Sequence, residues 1–159
     1  MRITLISTLT YPSDQGIRTI SGVLKKAGYN VKVVFMTLSE DYSKNYTLSE
    51  LNQLLRICDG SSLIGINSFA STSKRAAKII NFLKKKLNSP IVYGGVHTTI
   101  SPEDCIKYSD IICVGEGEGA IIELAEAISQ NKKIDKIKNL WIKKEGRIKY
   151  LIVCGCLPQ

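Results

Sequence analysis

The chain has 159 residues and a formal net charge of +8 at pH 7. With 44% hydrophobic and 23% charged residues, it reads as a globular chain of about one domain, at the usual ~100–200 residues each. That length excludes a catalytic barrel of roughly 200 residues or more, and five cysteines, an odd number, exclude a fully paired disulfide scaffold.

Residues 2–8 (RITLIST) are short, apolar and β-leaning, and predict a buried first strand followed by a Thr-Tyr-Pro-Ser-Asp loop. Ile17, Ile20, Val23 and Leu24 recur at helical spacing, and Gly28 stops that helix. Residues 31–36 (VKVVFM) predict a second strand. Thr47 and Glu50 match a capping box that opens a second helix, with Leu51, Leu54, Leu55 and Cys58 on its apolar face. Residues 63–67 (LIGIN) predict a third strand. Ser71 or Thr72 caps the next helix, which turns Ala76, Ile79, Ile80, Leu83 and Leu87 inward.

Residues 91–93 form a fourth strand that ends in Gly94-Gly95. Pro102 suits the first turn of a short helix reaching Tyr108. Residues 111–114 form a fifth strand, and a helix follows over 120–130. Strict alternation of this kind implies a five-stranded parallel sheet with helices on both faces, a three-layer α/β sandwich. The near-continuous apolar strands agree, because such strands are buried on both sides. Residues 132–159 differ. They are lysine-rich, and 139–142 and 147–150 flank Lys144-Glu145-Gly146 as a small hairpin. We therefore expect an α/β domain over 1–131 and a basic hairpin and linker appended to it over 132–159.

The apolar start of the chain breaks at Thr8, too soon for a signal-peptide core. No apolar run reaches the ~18 residues of a membrane helix. The expected location is cytoplasmic, with reduced thiols.

In open α/β sheets, ligands sit beyond the carboxyl ends of the strands. Four loops rich in glycine and hydroxyl groups leave those ends, and together they make the candidate binding rim. The first holds Thr10, Tyr11, Pro12, Ser13 and Gly16. The second holds Ser68, Phe69, Ala70 and Ser71. The third holds Gly94, Gly95, Val96 and His97. The fourth holds Gly115, Glu116, Gly117 and Glu118. Glycines let backbone approach a ligand closely, and hydroxyls hydrogen-bond without carrying charge. Glu116 and Glu118 also suit the start of a helix, where acids complement the dipole.

Familiar catalytic patterns are missing. Gly-x-Gly at 115–117 follows the fifth strand and not the first, so it is a weak dinucleotide fingerprint. His97 is the one histidine, which argues against a histidine-rich metal site and against a Ser-His-Asp triad. No catalytic residue and no metal ligand set is expected. Cys58, Cys105 and Cys113 sit in apolar elements as small hydrophobes.

Three segments carry a resemblance. Residues 91–99 (IVYGGVHTT) with Pro102-Glu103, residues 110–118 (DIICVGEGE), and residues 139–148 (NLWIKKEGRI) follow in order. Together they resemble the cobalamin (vitamin B12)-binding domain that precedes radical SAM barrels. The resemblance implies a flavodoxin-like (Rossmann-like) sheet that holds cobalamin at its carboxyl edge. It also implies that the nucleotide tail enters a slot beside the first strand, between the loops after strands one, three and four. Ser68-Phe69-Ala70 and Gly94-Gly95 then stand where the family has its two tail-lining turns.

Many cobalamin proteins carry D-x-H-x-x-G after the first strand, with the histidine on cobalt. Aligned on Gly16, this chain has Tyr11 at the aspartate and Ser13 at the histidine position. A serine hydroxyl is a poor cobalt ligand, so cobalamin is expected without a protein histidine from this loop, and Tyr11 or its neighbours lie under the corrin. His97 is expected to order its loop.

Cys154 and Cys156 alone cannot hold an iron–sulfur cluster, so none is expected in this chain. The expected role is binding, with catalysis supplied by a radical SAM domain in cis or in trans. A flavodoxin-like module for a flavin nucleotide is the alternative. The basic excess reads as a solvated face or a docking face for an acidic domain in preference to nucleic acid, because few aromatics interleave with the lysines.

Overall fold

The computed structural model describes residues 1–9, 11–36, 41, 44–144 and 147–151, with 144 and 147–151 described as backbone only. The strands are β1 (Arg2–Ser7), β2 (Asn30–Phe35), β3 (Leu63–Asn67), β4 (Ile91–Gly94), β5 (Ile111–Cys113), β6 (Leu140–Lys144) and β7 (Arg147–Leu151). The helices are α1 (Gln15–Lys26), α2 (Leu48–Cys58), α3 (Ser73–Lys84), α4 (Val96–Ile100), α5 (Pro102–Cys105) and α6 (Glu118–Ser129).

One seven-stranded sheet runs in the order β2-β1-β3-β4-β5-β6-β7. Its first five strands are parallel. The order 2-1-3-4-5 is the flavodoxin-like winding, and it reverses direction between β1 and β3. That reversal leaves a crevice at the carboxyl edge, because the connections on either side of it depart to opposite faces.

Alternation along each strand feeds two cores. Ile6, Ile64, Ile66, Tyr93 and Ile112 pack with residues of α2, α3 and α5. Leu5, Val92 and Ile111 pack with Ile17 and Leu24 of α1 and Ile121 and Leu124 of α6. The capping box of α2 forms as its sequence predicts: Thr47 N donates to Glu50 Oε2 at 2.7 Å, and Glu50 N donates to Thr47 Oγ1 at 3.3 Å. The Thr47 amide and the Thr47 hydroxyl, which also donates to Oε2 at 2.7 Å, hold the Glu50 carboxyl below the usual range.

Two local expectations are corrected. Residues 96–100, read as loop, form α4. The hairpin is not set apart from the sheet. β6 pairs antiparallel with β5, matching Ile111 with Ile142, Ile112 with Trp141 and Cys113 with Leu140. Trp141 then joins one core, and Leu140 and Ile142 join the other. The physical reason is the β5 edge, which would otherwise expose unpaired backbone groups. An apolar triplet at 140–142 suits a strand covered on both faces.

If β6 is part of the sheet, Trp141→Ala removes core volume. Urea unfolding followed by far-UV circular dichroism should show a loss of about 3–5 kcal/mol. A loss near zero would show that the hairpin hangs free.

A slot at the carboxyl edge of the sheet

The crevice is organised by a buried carboxylate. Asp14 caps α1 by accepting the Ile17 amide at 3.1 Å on Oδ1. Its Oδ2 accepts the Ser7 hydroxyl at 2.6 Å and the Asn67 side-chain amide at 2.6 Å. One side chain therefore ties the ends of β1 and β3 to the start of α1. Beside it, the Thr8 hydroxyl lies 3.0 Å from both the Asn67 carbonyl oxygen and Thr72 Oγ1.

Below this knot the sheet lacks a side chain. Gly65 pairs in register with Leu5 on one side and Val92 on the other. Leu5 and Val92 both point toward α1 and α6, and the row between them has no side chain of its own, only the end of Leu5 leaning over it. A Cβ at Gly65 would lie 2.7 Å from Leu5 Cδ2 and 3.8 Å from Val92 Cγ1. The gap opens a slot of about 430 Å³ between the sheet and the two helices, within the range of small-molecule sites. Ile17, Ile20 and Ile121 form its far wall, and Leu140 of β6 closes one end.

The rim is held rigidly. Gly95 has φ +105°, and a Cβ there would overlap Asn67 Oδ1 and lie 2.8 Å from the Ser68 carbonyl oxygen. The buried Thr98 hydroxyl bridges the carbonyls of Gly95 and Cys113 at 2.8 and 2.7 Å. The Gly115 amide donates to Thr99 Oγ1 at 3.0 Å. The Asn139 side-chain amide donates to the Glu116 carbonyl at 2.8 Å. The loops after β4 and β5 and the start of β6 thus form one hydrogen-bonded rim.

Of the residues singled out from sequence, Gly16, Gly94, Gly95, Val96, Gly115, Glu116, Gly117 and Glu118 line the slot. Tyr11, Ser13, Phe69 and Ser71 line an adjoining cleft of about 380 Å³, which shares Gly16 with the slot. Three others stand behind the rim. The buried Ser68 hydroxyl is 2.6 Å from the Tyr93 hydroxyl. The Pro12 carbonyl accepts Arg18 Nη2 at 2.6 Å, and the Ala70 carbonyl accepts the Ser73 hydroxyl at 2.8 Å. His97 lies in α4 outside the slot lining, its amide donating to the Ser68 carbonyl at 3.4 Å. Thr10 lies outside the described residues, as do Cys154 and Cys156.

Asp14, Gly65, Thr98, Thr99 and Asn139 carry the geometry without being among the rim residues singled out from sequence. A lone glycine inside an apolar strand is a signal of close approach, and Gly65 in LIGIN is one. An aspartate just before a helical pattern is a cap signal, and Asp14 is one. The roles of Thr98 and Asn139 depend on contacts across the sheet and leave no local signature.

The slot walls are neutral. Burial pushes the Cys113 thiol up to about 11, so it stays protonated near neutral pH. The charges on the lining are Glu116 and Glu118 at the rim. Among the described residues no group of three or more His, Cys, Asp or Glu side chains could hold a metal ion, and no helix is long and apolar enough to cross a membrane.

Gly95→Ala and Gly115→Ala separate backbone strain from contact. Both glycines have positive φ, yet a Cβ at Gly115 meets nothing within 4 Å. Urea denaturation should show a loss of about 1–2 kcal/mol for Gly115→Ala and a clearly larger one for Gly95→Ala. Equal losses would remove Asn67 from the account of the rim.

Comparison with known proteins gives the slot a context. The B12 binding domain family matches residues 1–125. The anaerobic magnesium-protoporphyrin IX monomethyl ester cyclase of Synechocystis is 28% identical over 140 residues, covering 84% of this chain and 27% of that protein. The chain thus spans about a quarter of this relative's length. Two solved structures share the fold. The radical S-adenosylmethionine methyltransferase TsrM from Kitasatospora setae, with cobalamin and a 4Fe–4S cluster bound, has a TM-score of 0.80 at 17% identity. That match covers 99% of this chain and 30% of the other. The cobalamin-dependent S-adenosylmethionine radical enzyme OxsB, with aqua-cobalamin and S-adenosylmethionine bound, has a TM-score of 0.77 at 21% identity. It covers 96% of this chain and 22% of the other. With a flavodoxin-like sheet, a slot at its winding reversal and a family match over most of its length, this chain belongs to the B12 binding domain family.

Proposed function

We propose that the chain holds cobalamin by its nucleotide tail and presents the corrin ring to a radical SAM catalytic domain, in cis or in trans. The observation that carries this reading is the bare row at Gly65. A fully packed sheet would place a side chain there, and the chain instead keeps an apolar slot that a flat base would fill. The residues fit the group in a second way. Tyr11, Phe69, Val96 and Ile100 are large apolar side chains left exposed, and all follow carboxyl ends of strands. They would offer apolar contact to the underside of a macrocycle held at that edge.

The chain's own residues bind and orient. Gly94 and Gly95 let the tail pass close to backbone, and the Asp14–Asn67 pair fixes the mouth. When bound, the corrinoid supplies a redox-active cobalt. The loop from Tyr11 to Gly16 contains no histidine, so the cobalt is held without a protein imidazole from that loop. Lys132, Lys133, Lys136 and Lys138 are exposed beside β6 and offer a basic face to the catalytic domain.

Titration with hydroxocobalamin should yield a protein-bound corrinoid spectrum. Gly94→Val, whose Cβ has only an ordinary 3.8 Å contact with Cys113 Cβ, crowds the mouth and should weaken binding by about 10- to 100-fold. Paramagnetic resonance of the reduced complex should lack the nitrogen splitting of an axial imidazole. A colourless protein with no titratable binding overturns the proposal, and a nitrogen-split spectrum overturns the ligation.

A further inference from the structure

Among the described residues, the lower half of the slot carries no hydrogen-bonding side chain. Leu5, Gly65 and Val92 lie two residues below the strand ends Ser7, Asn67 and Gly94. That is roughly 6–7 Å below the edge, at about 3.3 Å per residue. Ile20 and Ile121 face them from α1 and α6. Gly65 is paired on both sides, so its peptide groups belong to the ladders and are not free for a ligand.

The polar side chains of the lining stand higher. Asn67 and Cys113 end their strands, and Thr99, Glu116 and Glu118 follow strand ends. The Asn67 amide nitrogen is already committed to Asp14. A planar ring seated at the bottom therefore meets hydrocarbon and one bare stretch of backbone.

Resting on the reading of the slot as the tail site, we infer that it selects corrinoids by the base of their nucleotide tail. An alkylated benzimidazole fits, and a purine with an exocyclic amine is rejected. Gly65 sets the depth that a flat base can reach. Val92 sets the polarity of the wall it meets. The physical basis is an asymmetry. Alkyl groups on a benzimidazole gain contact with the isoleucines, whereas a purine amine loses its water and finds no partner, a penalty of roughly 10- to 100-fold in affinity. An apolar pocket rejects a ligand that adds a polar group by up to about 100-fold, comparable to its discrimination by size, and that bounds the preference.

The test is a competition titration of the whole 159-residue chain with three aquo-corrinoids: one with a dimethylbenzimidazole tail, one with an adenine tail, and one with no tail. The benzimidazole form should bind at least about 10-fold tighter than each of the other two. Equal binding of the two tailed forms, with the tail-less form weaker, overturns the inference and leaves the tail in the slot. Equal binding of all three takes the tail out of the slot and overturns the inference with it. Binding of none overturns the proposed function and this inference together.

Val92→Thr adds a hydroxyl to the wall at nearly constant volume and should narrow the preference several-fold. An unchanged ratio in that folded variant overturns the role of Val92. Gly65→Ala provides a second route, because its Cβ clashes with the flexible end of Leu5 and makes only an ordinary 3.8 Å contact with Val92 Cγ1. It should weaken the benzimidazole form about 10-fold and leave the tail-less form unaffected. Unchanged binding of the benzimidazole form overturns the role of Gly65.

Discussion

The site depends on one buried carboxylate. Asp14 is 4% exposed, and removing a charge from water is costly unless donors surround it. The Ser7 hydroxyl, the Asn67 amide and the Ile17 backbone amide supply them. Those donors come from β1, β3 and α1, the three elements that meet where the winding reverses. Meeting the needs of one charge therefore fixes the mouth of the crevice. The constraint then propagates. Asn67 is oriented by Asp14, its Oδ1 occupies the space above Gly95, and Gly95 can hold only a glycine. Thr98 carries the constraint from Gly95 to Cys113, and Thr99 carries it to Gly115.

A rigid rim matters because the space beneath it runs against the general economy of a core. Interiors close up because dispersion and hydrophobic burial both favour contact. Glycine in a strand also forfeits side-chain packing and carries roughly 0.5–1 kcal/mol of extra backbone entropy relative to alanine. Gly65 takes both penalties on an interior strand of a seven-stranded sheet, where valine or isoleucine would normally stand. Local rules broken without a packing gain tend to mark functional positions. Here the rim ties the strand ends together above it, and Ile17, Ile20 and Ile121 of α1 and α6 stay on the slot lining.

The layered fold was legible because its signals are local. Apolar runs such as RITLI and LIGIN, the Thr47–Glu50 box and the Gly-Gly turn at 94–95 each announce an element or its end. The rim was partly legible for the same reason, since glycines cluster where strands stop. The depth of the slot was less so. It arises from the register that sets Gly65 between Leu5 and Val92, and register is a property of three strands together. The hairpin's lysines dominate its composition and mask the apolar triplet at 140–142 that joins it to the sheet. The deciding fact is that β5 would otherwise be an edge, which becomes visible only when the strand order is known.

The hairpin also extends the site past the segment that identifies the family. That match ends at residue 125, yet the slot does not. Leu140 closes one end of it. Asn139, with φ +65°, donates its side-chain amide to Glu116 and accepts the Val114 amide on its carbonyl oxygen at 2.8 Å. A positive φ is tolerated by asparagine more readily than by most side chains. It turns the chain into β6 while leaving the amide free to reach the loop after β5. Without β6, the β5 edge and the loop from Gly115 to Glu118 would lose their partners on one side. The same strand that seals the edge of the sheet therefore completes the wall of the slot, so the stability of the fold and the shape of its site rest on common contacts.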